Sequence, residues 1–319
     1  MSDASTPHGH AHAHHHHHDH HAHHAHPGPS SGRAFAIGVL LNLGIVVGEV
    51  IYGVLTRSMA LLADAGHNLG DVLGLAMAGG AAFLAQRAPT QRRTYGLRRL
   101  TLLSALANGV FLLLATGGIV WESVRRLASP QPVEAGTVMV VAAAAAVVNG
   151  ASALLFLRDR DHDLNVKAAF LHQAGDAAIA VGVVLSSFAV LRTGLSWIDP
   201  VTSLAVSALI LASTWSLLRR SIDLVLDAVP EGVAIDDVRA YLAALPMVRE
   251  VHDLHVWAMS TTETALTAHL VMPATARDPE FLGKVCATLR TRFRIGHATL
   301  QVDPEDASEE CCLAPEEVV

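Results

Sequence analysis

Six consecutive apolar runs, each long enough to cross a bilayer, constrain this chain more than any other feature. They cover residues 34–55, 59–84, 100–121, 135–157, 168–191 and 201–218. A helix of about 20 apolar residues spans the hydrocarbon core, and it satisfies its own backbone hydrogen bonds where no water can. A large soluble core is the alternative, but nothing about such a core calls for six runs of this length in succession. Composition points the same way: 16% of the residues are charged, against about 25% in soluble domains. The expected fold is a polytopic α-helical membrane protein with six spans over residues 33–220.

Basic residues at the span ends set the orientation. Arg33, Arg87, Arg92, Arg93, Arg98, Arg99, Arg158, Arg160, Lys167, Arg219 and Arg220 fall on one side. Only Arg57, Arg125, Arg126 and Arg192 fall on the other. Both termini are therefore expected in the cytoplasm. The five arginines between spans two and three read as topology signal and lipid-headgroup contacts. No histidine or acidic residue accompanies them, so no metal site is expected in that loop.

Outside the spans the character changes. Residues 1–32 form a low-complexity tail with 13 histidines between His8 and His26, including the uninterrupted run His14, His15, His16, His17 and His18. Alanine, glycine and Asp19 interrupt the pattern, which favours a natural, disordered metal-collecting tail over a purification tag. Nothing in it resembles a signal peptide. Residues 221–306 alternate as helix 235–245, strand 251–259, strand 264–272, helix 279–293 and strand 297–303. That order predicts a cytoplasmic αββαβ domain of two layers. Residues 307–319 are an acidic tail carrying Cys311 and Cys312. With Cys286 these are too few cysteines for a disulfide framework, and they suit a reducing compartment. From Glu231 onward 15 acidic residues face 7 basic ones, a balance that excludes nucleic acid as a partner and favours cations.

Two five-residue stretches inside the apolar runs carry the chemistry: His67-Asn68-Leu69-Gly70-Asp71 and His172-Gln173-Ala174-Gly175-Asp176. Positions i and i+4 share a helix face, so each stretch presents an imidazole beside a carboxylate. Two such helices facing one another would supply two nitrogens and two oxygens, a tetrahedral set suited to Zn²⁺ and also to Co²⁺. Ionisable groups at membrane depth are costly and mark function. One pair alone reads equally as a helix–helix hydrogen bond; two matching pairs do not. Metal and protons compete for the same imidazoles, which makes exchange of Zn²⁺ for protons the expected coupling. Asp64, three residues before His67, is expected as a supporting or entry-side carboxylate. Glu49 and Asn42 lie on one stripe of the first span and read as bundle packing.

In the cytoplasmic domain His252, His269, His297, Asp303, Cys311 and Cys312 are candidate metal ligands. On a regular strand His252 and His255 face opposite sides. His252 is therefore paired with His269 and Asp303, leaving Asp253, His255 and Trp257 on the other face.

At this point the chain resembles the cation diffusion facilitator family, in its zinc-transporting branch. The resemblance rests on Ala60-Leu-Leu-Ala-Asp-Ala-Gly-His-Asn-Leu-Gly-Asp71, on His172-X-X-X-Asp176, on Val251-His-Asp-Leu-His-Val-Trp257, on Asp199-Pro200 and on His269. It extends over residues 33–303. It implies a homodimeric metal/proton antiporter with six spans per protomer and a metallochaperone-like cytoplasmic domain. A bacterial inner membrane is the expected setting, where the activity is export; an organelle membrane would make it sequestration. The resemblance also implies that His67, Asp71, His172 and Asp176 form the transport site, and that zinc at His252, His269 and Asp303 tunes the dimer. The chain departs from relatives that carry a metal site between spans two and three, or a histidine-rich loop between spans four and five. Only His162 stands in the latter loop, and the N-terminal tail takes its place.

Two other classes compete. An intramembrane metalloenzyme would need an open coordination position and a general base, as in His-Glu-X-X-His, and no such motif occurs. A membrane-anchored zinc sensor or store would use the tail and cytoplasmic domain and leave the buried His–Asp pairs unexplained. Co²⁺ or Cd²⁺ as the main substrate is a further alternative.

Overall fold

The computed structural model describes residues 29–157, 164–273 and 279–304, with the side chains of α1 described from Leu43 onward. The His-rich run, Cys311 and Cys312 lie outside these residues. The order of elements is α1 (Pro29–Thr56), α2 (Met59–Ala85), α3 (Leu100–Ala128), α4 (Ala135–Phe156), α5 (Leu164–Thr193), α6 (Ile198–Val225), α7 (Ile235–Ala243), β1 (Glu250–Ala258), β2 (Thr264–Val271), α8 (Pro279–Phe293) and β3 (Ile295–Asp303).

Helices α2 to α6 each contain a stretch long and apolar enough to cross a membrane, and Leu43–Thr56 of α1 adds a shorter apolar helix. Large side chains such as Phe83, Leu114, Leu155 and Trp215 point outward, as expected where the solvent is lipid rather than water. The chain is a multi-pass membrane protein with a C-terminal α+β domain. The helices outrun the apolar windows read from the sequence. Helix α3 continues seven residues past Trp121 to Ala128, and α6 starts at Ile198. The added turns carry Glu122, Arg125 and Arg126 on α3, where the glutamate pairs with both arginines, and Asp199 on α6, which is buried.

Packing within the membrane domain centres on α2. It lies against α3 and α6 and meets α5, while α4 runs along α5. Close approach depends on glycine: a Cβ at Gly70 would sit 2.1 Å from Leu112 Cδ2, and one at Gly74 would sit 2.5 Å from Asn108 Nδ2. On another face of α2, Ala60 and Leu61 are buried with Val138, Ala142 and Val183. The start of α2 is fixed from α6. Ser58 caps it, accepting from Leu61 N–H, and the Asp199 carboxylate accepts from the Ser58 hydroxyl, Met59 N–H (2.7 Å) and Ala60 N–H (3.4 Å). A carboxylate there satisfies orphan donors and complements the positive end of the helix. Arg126 of α3 donates to the Arg57 carbonyl beside it.

The C-terminal domain is a three-stranded sheet in the order β1-β2-β3, antiparallel between β1 and β2 and parallel between β2 and β3. Parallel neighbours require a crossover, which α8 supplies. Leu254, Val256, Leu266, Leu270, Leu289 and Ile295 are among the buried side chains that join the sheet to α7 and α8. Strand β1 is not regular: its pairing shifts between His252 and His255, and Asp253 adopts φ 49°.

Ion pairs tie this domain to the membrane helices. Arg98 binds Glu263 at 2.6 Å and Arg99 binds Asp227 at 2.7 Å. Thr261 N–H donates to Thr101 Oγ1 at 3.1 Å. Two of the five arginines read as lipid contacts are thus engaged by protein carboxylates.

Candidate metal centre

The i, i+4 spacing does what helix geometry requires. His67 and Asp71 project from α2 and His172 and Asp176 from α5; His67, Asp71 and Asp176 offer ligand atoms within 4.8 Å of one another, and His172 lies at the margin of that group. His67 Nε2 lies 3.4 Å from Asp176 Oδ1, and His172 Nε2 lies 3.6 Å from both Asp71 Oδ2 and Asp176 Oδ2. Donor atoms about 2.0–2.1 Å from a tetrahedral Zn²⁺ stand roughly 3.3–3.4 Å from one another, close to the separations of His67 from Asp176 and of His172 from each carboxylate. His172 must swing toward His67 to complete a four-ligand set. The two imidazoles are edge to face, with centroids 6.2 Å apart. Cover over the site is uneven: the Asp176 side chain is 5% exposed and His172 is 49% exposed.

Three further polar side chains are buried nearby. Asp64 and Glu49 are fully buried, and Asn68 donates from Nδ2 to Glu49 Oε2 at 3.2 Å. Glu49, assigned from sequence to bundle packing, meets Asp64 across the α1–α2 contact. The matching spacing of Glu49 and Asn42 on α1 gave no sign of that meeting.

A second cluster lies on the β1–β2–β3 sheet of the C-terminal domain. His269 Nδ1 is 2.9 Å from Asp303 Oδ2, and His252 Nε2 is 3.5 Å from the same oxygen. Register explains the meeting, because His252 pairs with His269 and Asp303 pairs with Val271, two residues along β2 on the same face. Burial works against the Asp303 charge. The Gln301 amide, the His269 hydrogen bond and the two imidazoles nevertheless hold its carboxyl below the usual carboxylate range.

Asp253 belongs to this cluster as well, with Oδ2 3.5 Å from His269 Nε2 and Oδ1 2.9 Å from His255 Nε2. Strand alternation placed Asp253 on the opposite face. The irregularity and positive φ at Asp253 overturn that assignment, and aspartate is one of the few residues that tolerate such a backbone. His297 lies elsewhere, edge to face with Tyr95 of the loop between α2 and α3 at 5.7 Å. His255 lines a cavity of about 710 Å³ with Tyr95, Arg99 and Trp257.

Comparison with known proteins places this chain in a family. The cation efflux transmembrane domain matches residues 35–226, and the cation efflux protein cytoplasmic domain matches residues 230–305. The zinc transporter ZitB of Escherichia coli is 38% identical over 272 residues, 84% of this chain and 86% of ZitB. The metal cation efflux system protein CzcD of Cupriavidus metallidurans is 34% identical over 273 residues, 85% of this chain and 86% of CzcD. The cadmium, cobalt and zinc/H(+)-K(+) antiporter of Bacillus subtilis is 29% identical over 278 residues, 86% of this chain and 89% of that protein. A solved metal-bound C-terminal domain of CzcD, 33% identical, covers 22% of this chain and 99% of its own length, with a TM-score of 0.21. The chain belongs to the cation efflux family of membrane transporters, the cation diffusion facilitators, and its activity is divalent metal cation efflux.

Proposed function

We propose that this chain exports Zn²⁺ in exchange for protons through His67, Asp71, His172 and Asp176. The observation that carries the reading is the grouping of His67, Asp71 and Asp176 within ligand distance across two membrane helices, with His172 Nε2 3.6 Å from both carboxylates. Zinc is the substrate favoured by two imidazoles with two carboxylates, and it is named for the ZitB relatives. Co²⁺ and Cd²⁺ are the secondary substrates, since the Bacillus subtilis relative is named for all three. Zn²⁺ here is cargo, and protonation of the imidazoles on the far side releases it.

The same reading assigns the rest of the chain. The His-rich tail, with His14 to His18, gathers the cation. The cluster of His252, His269 and Asp303 binds regulatory zinc, with Cys311 and Cys312 as further thiolate donors. Binding of cations between two acidic cytoplasmic domains lowers their repulsion and favours a homodimer; the name of the matching cytoplasmic-domain family, ZT_dimer, supports this. The protein sits in a bacterial inner membrane with both termini in the cytoplasm, and its domains follow the boundaries 1–32, 33–220, 221–306 and 307–319. It performs no covalent chemistry.

Zn²⁺ uptake into sealed vesicles carrying the full chain tests the reading. Accumulation against the vesicle boundary supports export. Binding without accumulation would leave a membrane-anchored sensor or store.

A further inference from the structure

Two acidic side chains buried in the membrane domain are not among the four read as the cation site. Glu49 of α1 and Asp64 of α2 have no exposed surface, and their carboxyl groups are within hydrogen-bonding reach of each other. Asn68 supplies one donor to Glu49 Oε2. No donor reaches Glu49 Oε1 or either oxygen of Asp64. Among the described residues no lysine or arginine pairs with either group. The charged or titratable groups that face them are His67 from α2 and Asp176 from α5. His67 is already held between Asp71 and Asp176, and Asp176 adds negative charge.

An ionised carboxylate only accepts hydrogen bonds. Two of them in contact, desolvated and without a cation, repel strongly, and the arrangement is stable when one proton lies between them. Asp64 is three residues, about one helical turn, from His67. A divalent cation arriving at His67 therefore places its charge close to the shared proton.

We propose that Glu49 and Asp64 share one proton and form a proton site separate from the four cation-binding side chains, discharged when the cation binds. The proposal rests on the reading of those four as the cation site. In the discharge step the O–H bond of the shared acid breaks, the proton leaves to water, and both carboxylates stay ionised beside the dication. When the cation leaves, one proton returns and the O–H bond reforms. Neither carboxylate enters the coordination shell.

Infrared difference spectroscopy on the full chain in lipid bilayers tests this, with Zn²⁺ alone as the probe. Glu49→Gln and Asp64→Asn each replace the shared proton by an amide donor of similar shape, so each variant can retain the fold. At neutral pH the wild type should show the carbonyl band of a protonated carboxylic acid, and Zn²⁺ should bleach it. Both variants should lack the band. Calorimetric titration in buffers of different protonation enthalpy should then show about one proton fewer released per Zn²⁺ in either variant.

A band that survives both substitutions overturns the proposal. So does a band that Zn²⁺ leaves intact, with unchanged proton release, since the proton would then be structural. A loss of one bound Zn²⁺ in the variants would make the pair a metal site instead. No Zn²⁺ binding in the wild type, with the band present and lost in both variants, would remove the cation site and the coupling while leaving the shared proton in place.

Discussion

Asp199, at the start of α6, holds the start of α2 through Ser58: its carboxylate accepts from the Ser58 hydroxyl and from the first amides of the helix that carries His67 and Asp71. Both partners are buried, so removing the acceptor strands several donors. Asp199→Ala should destabilise the membrane domain by about 1–3 kcal/mol per orphaned donor. Ser58→Ala, which removes the cap and one of the three donors to Asp199 but leaves the Met59 and Ala60 amides paired, should cost less, about 1 kcal/mol. Thermal unfolding in lipid would read both, and equal shifts would contradict this ordering.

Gly70 sits one residue before Asp71, and it lets α3 approach so closely that any Cβ meets Leu112. Gly70→Ala should therefore cost about 1–3 kcal/mol through overpacking. Combining it with Leu112→Ala should recover part of that loss, because the smaller side chain makes room. A double-mutant cycle measures the coupling, and strict additivity of the two changes would show that the contact is not the cause.

The Asp303 carboxyl is held below its usual range by Gln301, His269 and His252. A depressed value in the folded state means that its stabilisation is present above the unfolded carboxylate value of about 3.9. It is lost as acid titrates the folded group. Metal-free Asp303→Asn should be less stable than wild type at neutral pH, and the difference should shrink at strongly acid pH. His269→Ala should also lower Zn²⁺ affinity at the His252, His269 and Asp303 cluster at least tenfold, read by titration with His67, Asp71, His172 and Asp176 unchanged.

Much of this architecture was legible in the sequence because bilayer thickness and helix periodicity are strong, local constraints. The apolar windows located α2 to α6, and the i, i+4 spacing of His67 with Asp71 and of His172 with Asp176 put each pair on one face. The αββαβ order followed from alternation in β1 and β2. Asp253 could not be placed that way, since one residue in a left-handed conformation reverses the face that alternation assigns. Its signal was its residue type alone. The meeting of Glu49 with Asp64 depends on how α1 rotates against α2, which no single-helix pattern encodes. Arg98 and Arg99 read as membrane-surface charges because their partners, Glu263 and Asp227, are more than a hundred residues away in sequence.

The most direct test of the central claim is Zn²⁺ flux in proteoliposomes under an imposed pH gradient, comparing wild type with Asp71→Ala and Asp176→Ala. The account predicts gradient-driven Zn²⁺ movement in the wild type and its loss in both variants, with the purified variants still folded. Flux that persists in either variant would contradict a transport site built from these four side chains.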